Sequence, residues 1–263
     1  MKLEGFPVLK YPKAEESESE LYVSTMKSLK VLMESDLKGP TVIIEDLLSV
    51  GVNLLFALQN KGKTWMALQI ARCVTCGEAL LGKQVKKTGK VLFFCLEDGE
   101  ANLKQRADLQ WKKKGNPEAV LYSDMLETPN KGGWRSLEAE IKLHKPILVI
   151  IDNLMTFFGN KSIDTNKFSE MSEYIGKFRK LATEYEVCFL LVHHGKKPSV
   201  GLSGSGPEAA IGSTAISANC ATRLQIHSPD KGAVLETWSK VFPNQRLTMK
   251  FSDEDFLWER TKQ

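Results

Sequence analysis

The chain has 263 residues with a formal net charge of +4; its 42% apolar and 26% charged residues exclude a disordered or fibrous protein and suffice for one large α/β domain with a substantial core. The small cationic excess is compatible with a nucleic-acid partner but is too small to argue for one. The five cysteines are odd in number and scattered, which excludes a disulfide framework and fits a reducing, cytoplasmic setting.

Residues 1–40 read as a mixed N-terminal arm with an acidic stretch from Glu15 to Glu20. No long apolar segment follows Met1 to Gly5, so no secretory signal is expected. Short strands are predicted at Thr41–Ile44 and Val52–Phe56, and a helical run at Trp65–Cys73. Cys73 and Cys76 form a C-x-x-C inside that run with no second pair to complete a zinc site, so packing is their expected role. Gly89-Lys90 introduces a buried strand, Val91–Leu96, which ends at Glu97-Asp98. Glu100–Lys114 reads as a helix stopped by Gly115-Asn116-Pro117, with Asp98 as its expected cap. Ala119–Tyr122 reads as a short strand and Trp134–His144 as a helix. Ile147–Ile151 is a strand that ends in Asp152.

Lys167–Glu186 is helical, with Met171, Tyr174, Ile175, Phe178, Leu181 and Ala182 on one face. Val187–Val192 is a strand that ends in His193-His194. Both of the longest apolar runs, 147–151 and 187–192, are far too short to span a bilayer, so no membrane partner is expected. A long Gly/Ser-rich loop covers Gly195–Ser213. Arg223–His227, Val234–Lys240, Arg246–Phe251 and Phe256–Glu259 read as closing antiparallel strands. Alternating strands and helices predict a mainly parallel sheet flanked by helices, with ligands at the carboxyl ends of the strands.

Ala57 to Thr64 sits between a strand and a helix and approximates the phosphate-binding pattern G-x-x-x-x-G-K-[ST]. The unpaired N–H groups of a helix start suit phosphates there. Lys63 reaches the β- and γ-phosphates in this reading, and the Thr64 hydroxyl binds Mg²⁺. Ala57 replaces the first glycine, which matters if the turn needs a positive φ. Asp152, at the end of an apolar strand, can hold Mg²⁺ through its water shell; the alternative is an ordinary turn aspartate. Glu97 can orient and polarise an attacking water, or be a plain loop acid. His193 and His194 point to opposite sides of an extended chain, so at most one faces the site.

Taken in order, Leu55-Phe56-Ala57 through Gly62-Lys63-Thr64-Trp65, Leu96-Glu97-Asp98 with Arg106 behind it, Ile151-Asp152-Asn153-Leu154, Val192-His193-His194-Gly195-Lys196 and Gly212-Ser213-Thr214 resemble the RecA-like ATPases of the RepA type, which include hexameric plasmid replicative helicases. The resemblance covers roughly residues 40–250. It implies a RecA-like P-loop core over 41–263, with ATP and Mg²⁺ as cofactors. ATP contacts fall on Asn60, Lys61, Gly62, Lys63, Thr64, Trp65 and Arg106, and metal contacts on Thr64 and Asp152.

Glu97 resembles the catalytic glutamate, His194 the sensor histidine and Arg223 an arginine finger that reaches a neighbouring subunit's ATP; Lys240 resembles a second trans-acting basic residue, and Arg246 is a further candidate. A surface arginine in a strand is the alternative for Arg223, and a salt bridge for Arg106. The implied partners are further copies of the chain in a hexameric ring, single-stranded DNA, and replication or recombination proteins. DNA would meet Lys196 and Lys197 after the histidines, and Phe157, Phe158 and Lys161 after Asp152; the Phe pair can equally be core. The leading expectation is a Mg²⁺-dependent ATPase acting on DNA as a helicase or translocase. The alternatives are a recombination accessory or regulatory ATPase that binds DNA without unwinding it, and a non-hydrolysing nucleotide-binding scaffold.

Overall fold

A computed structural model of the protein describes residues 26–111, 115–159, 168–195, 216, 218–227 and 232–261. The chain divides into two units, Met1–Gly39 and Pro40–Gln263. In the first, Leu29–Met33 forms a short helix, α1, whose N-cap Ser28 hydroxyl accepts from the Val31 N–H at 3.3 Å; none of its residues is buried.

The second unit begins with a small antiparallel pair, β1 (Val42–Ile44) and β2 (Leu48–Ser49). The elements that follow alternate: β3 (Gly51–Ala57), α2 (Lys63–Cys76), β4 (Val91–Cys95), α3 (Gly99–Trp111), β5 (Val120–Ser123), α4 (Gly133–His144), β6 (Leu148–Asp152), α5 (Leu154–Phe158), α6 (Phe168–Glu184) and β7 (Cys188–His194). Four strands close the chain: β8 (Thr222–His227), β9 (Ala233–Ser239), β10 (Arg246–Phe251) and β11 (Trp258–Arg260). They form one nine-stranded sheet in the order β11-β10-β9-β8-β3-β7-β6-β4-β5. From β8 to β5 every pairing is parallel, and from β8 to β11 every pairing is antiparallel. β8 therefore departs from the purely antiparallel tail that its spacing suggests, because it lies parallel to β3 on one side and antiparallel to β9 on the other.

The central strands are apolar on both faces because helices cover both. On one face, Leu55, Phe93, Ile150 and Val192 pack against Met66, Ala67, Ile70 and Val74 of α2. On the other, Leu54, Phe94, Ile151 and Leu191 pack with Met171, Ile175, Phe178, Leu181 and Ala182 of the predicted α6 stripe, and its Tyr174 packs against them, partly buried. Phe157 and Phe158 belong to this second core, fully buried on α5. Neither ring is available to stack on bases, because burying them in α5 completes the core beneath Trp134 and Tyr174. All five cysteines are free, and burial pushes the Cys73 thiol up to about 12, as packing residues require. Among the described residues no group of three or more His, Cys, Asp or Glu side chains could hold a metal, and no helix is long and apolar enough to cross a membrane.

Candidate nucleotide site

Strand pleating explains which side chains converge. Leu148 and Ile150 face α2, so Asp152, two residues further along β6, faces α2 as well. The same count from Cys188, Leu190 and Val192 puts His194 on the α2 face and His193 on the other, where its ring is fully buried. Cys95 lies on the α2 face, and Glu97 follows two residues later.

The phosphate loop leaves β3 at Ala57 and enters α2 at Lys63. Asn60 and Gly62 turn it with φ of 60° and 78°, and Ala57 is absent from the positive-φ positions, so the missing first glycine leaves the turn unstrained. Two neighbours hold the loop. Gly195 packs flat on Ala57, its N–H donating to the Ala57 carbonyl at 2.7 Å, and a Cβ there would sit 3.1 Å from the Ala57 carbonyl carbon. Trp258 covers Gly62, where a Cβ would meet the indole at 2.6 Å, and the indole N–H reaches the Gly62 carbonyl at 3.4 Å. Gln69 locks Trp258 in place by pairing with both its N–H (2.7 Å) and its carbonyl (2.9 Å).

The Thr64 hydroxyl donates to the Asp152 carboxylate at 2.7 Å. Asp152 is buried, and burial raises its pKa from 3.8 to about 6; the Thr64 hydrogen bond opposes the rise, the Glu97 and Asp98 charges add to it, and Lys63 opposes it. The ammonium of Lys63 rests on the carbonyls of Leu58 (3.1 Å) and Ala57 (3.4 Å), and burial lowers its pKa. Asn153 donates to Glu97, and its Nδ2 lies 3.2 Å from His194 Nε2; Glu97 and His194 are themselves 3.6 Å apart. Burial and then Lys63 lower the His194 pKa, with Glu97 opposing.

Asp152 makes the unliganded fold sensitive to pH, and the sign is fixed. The folded carboxyl holds its proton up to about pH 6, whereas the unfolded one releases it near 3.8. Between these values the folded state binds more protons, so stability falls as pH rises through that window. Asp152→Asn removes the penalty. In the absence of Mg²⁺ and nucleotide, the variant is expected to melt a few degrees above wild type at neutral pH. The gap should close toward pH 4, as read by thermal unfolding across the range.

Asn60 and Lys61 are exposed at the loop tip. Trp65 stacks on Phe256 at 5.2 Å, and Arg106 lies 5.8 Å above the Trp65 ring. Arg106 also binds the carboxylate of Asp98, the residue expected to cap α3. Arg223 pairs in register with Leu54, on the α6 face and before the end of β3, away from its own phosphate loop; its Nε donates to the Trp238 carbonyl at 3.5 Å. Lys240 follows β9 and donates to the Ala218 carbonyl, while Arg246 pairs with Glu236 at 3.0 Å. Lys161, Lys196 and Lys197 lie outside the described residues.

Sequence reasoning missed Asn153, although an Asn before an apolar turn is an N-cap signal. It also missed Trp258, Gln69 and Gln110, which donates to the carbonyls of Trp65 (3.0 Å) and Phe256 (2.8 Å); no local pattern marks these long-range partners.

Residues 30–200 match the AAA domain family. No curated protein sequence matches the chain. Among solved structures, the ATPase domain of G40P superposes with a TM-score of 0.64 at 14% identity, over 81% of this chain and 85% of that one. A KaiC-like protein, PH0186 from the hyperthermophilic archaeon Pyrococcus horikoshii OT3, superposes with a TM-score of 0.55 at 13% identity, over 84% and 94%. The chain belongs to the AAA domain family, with the fold of a RecA-like P-loop ATPase.

Proposed function

We propose that the protein is a Mg²⁺-dependent ATPase that assembles into a ring, hexameric by its resemblance to the RepA type, and works on single-stranded DNA as a helicase or translocase.

 The observation that carries this reading is the 2.7 Å contact between Thr64 and Asp152, one residue beyond Lys63. A hydroxyl and a carboxylate meeting at the start of a helix form the all-oxygen donor set that Mg²⁺ selects, so the residues fit the ion. Thr64 and Asp152 would hold it, Asp152 through its water shell, and the bound ion would neutralise charge on the phosphates. Lys63, Gly62, Lys61 and Asn60 would bind the phosphates, and Trp65 and Arg106 flank the same loop. Glu97 would orient and deprotonate the attacking water, and His194 would sense the γ-phosphate. Lys161, Lys196 and Lys197 are assigned to DNA.

Arg223, and with it Lys240 after β9, would complete the site of the next subunit. Its place on the α6 face supports a role in trans, because it lies away from its own phosphate loop. Mixing two inactive variants tests this. Lys63→Ala and Arg223→Ala should each be inactive alone. In a randomly mixed ring, about a quarter of the interfaces pair an intact loop with an intact arginine, so about that share of turnover should return. Full activity of Arg223→Ala alone, or no recovery in rings shown to contain both variants, would overturn the assignment. A strand-displacement assay beside a DNA-binding assay separates unwinding from a recombination accessory role.

A further inference from the structure

The sheet order β4-β6-β7 places the residue that follows β6 between the ends of two neighbouring strands. That residue is Asn153, which is buried. Its amide orientation is fixed from the other side. The Oδ1 atom accepts the Thr156 N–H at 3.0 Å as the N-cap of α5, and also meets the Thr156 hydroxyl at 3.2 Å. A backbone N–H can only donate, so the opposite end of the amide must be the NH₂ group. Its two hydrogens are directed at Glu97 Oε2 and at His194 Nε2.

We propose that Asn153 is a positioning residue for hydrolysis, which holds the Glu97 carboxylate and the His194 ring in one arrangement and prevents them from closing on each other. The inference rests on the reading of Glu97 and His194 given above. Glu97 and His194 stand 3.6 Å apart, near enough to form a direct ion pair if the ring is protonated. Donation from Asn153 to Nε2 requires a lone pair there, which is the neutral ring with its proton on Nδ1. In that state the imidazole does not compete with a water for the Glu97 carboxylate. The amide thus spaces the base from the ring, and its anchor on α5 keeps the spacing fixed.

Asn153→Asp and Asn153→Ser test the proposal, because both residues cap helices well and keep α5 in place. Aspartate sets a second carboxylate against Glu97, and serine is too short to reach either partner. Both variants should lose about 100-fold in kcat for ATP while KM stays within about twofold. Their melting temperatures should stay near wild type. In the Glu97→Gln background either substitution should cost little more, since the group it positions is already disabled. Activity of both variants within about threefold of wild type, with Glu97→Gln inactive, would overturn the proposal and leave the reading of Glu97 standing. Full additivity of the double variants would overturn it too. An active Glu97→Gln would instead remove the reading on which it rests.

Discussion

Replacement of Lys63 by alanine is expected to lower ATP turnover by at least about 10³-fold. The side chain is only 7% exposed, and its ammonium rests on two carbonyls of the phosphate loop. Those carbonyls are weak partners for a buried cation, and a phosphate oxygen would be a stronger one. The same burial that lowers the lysine pKa would strengthen its attraction for the ligand. Lys61, the other cation of the loop, is exposed and cannot take its place. Without ligand the variant should melt close to wild type, because the cost of burying the ammonium offsets its contacts with the two carbonyls and its attraction to Asp152. The rise in melting temperature on adding ATP and Mg²⁺ should vanish. Phosphate release and thermal unfolding together check the expectation, and retained turnover would remove the phosphate loop from the chemistry.

Glu97→Gln should separate binding from hydrolysis. The glutamine has the same shape and can still accept from Asn153, but it cannot take a proton from water. Turnover is expected to fall by about 10²–10⁴-fold, with stabilisation by ATP and Mg²⁺ retained. Loss of the nucleotide-induced shift as well would assign Glu97 to binding instead.

The strand ends were readable because an apolar run that stops at a carboxylate or histidine is a local signal. Asp152, Glu97 and His194 each follow such a run, and pleating alone puts His194 and Asp152 on the α2 face. The helix α6 was readable for the same reason, since its stripe repeats at helical spacing. Strand order was not. Nothing near Asn153 shows that β4 and β7 flank β6, and that neighbourhood is what brings Glu97 and His194 to one amide. The Phe157-Phe158 pair has no period long enough to distinguish a core helix from a loop. The parallel pairing of β8 with β3 joins residues more than 160 positions apart, beyond any local pattern. The cover that Trp258 lays on Gly62 is longer-range still.

The central position of β3 has a consequence for how the protein is made. Its neighbours on both sides come from the second half of the chain, with Gly51 opposite Cys188 and Asn53 opposite Thr222. A ribosome that has delivered the phosphate loop has not yet delivered either strand that will hold it, nor the indole that will seal it. Such distant pairings fold slowly. Competence to grip a nucleotide is therefore acquired late, and capture of ATP reports that the whole sheet has closed.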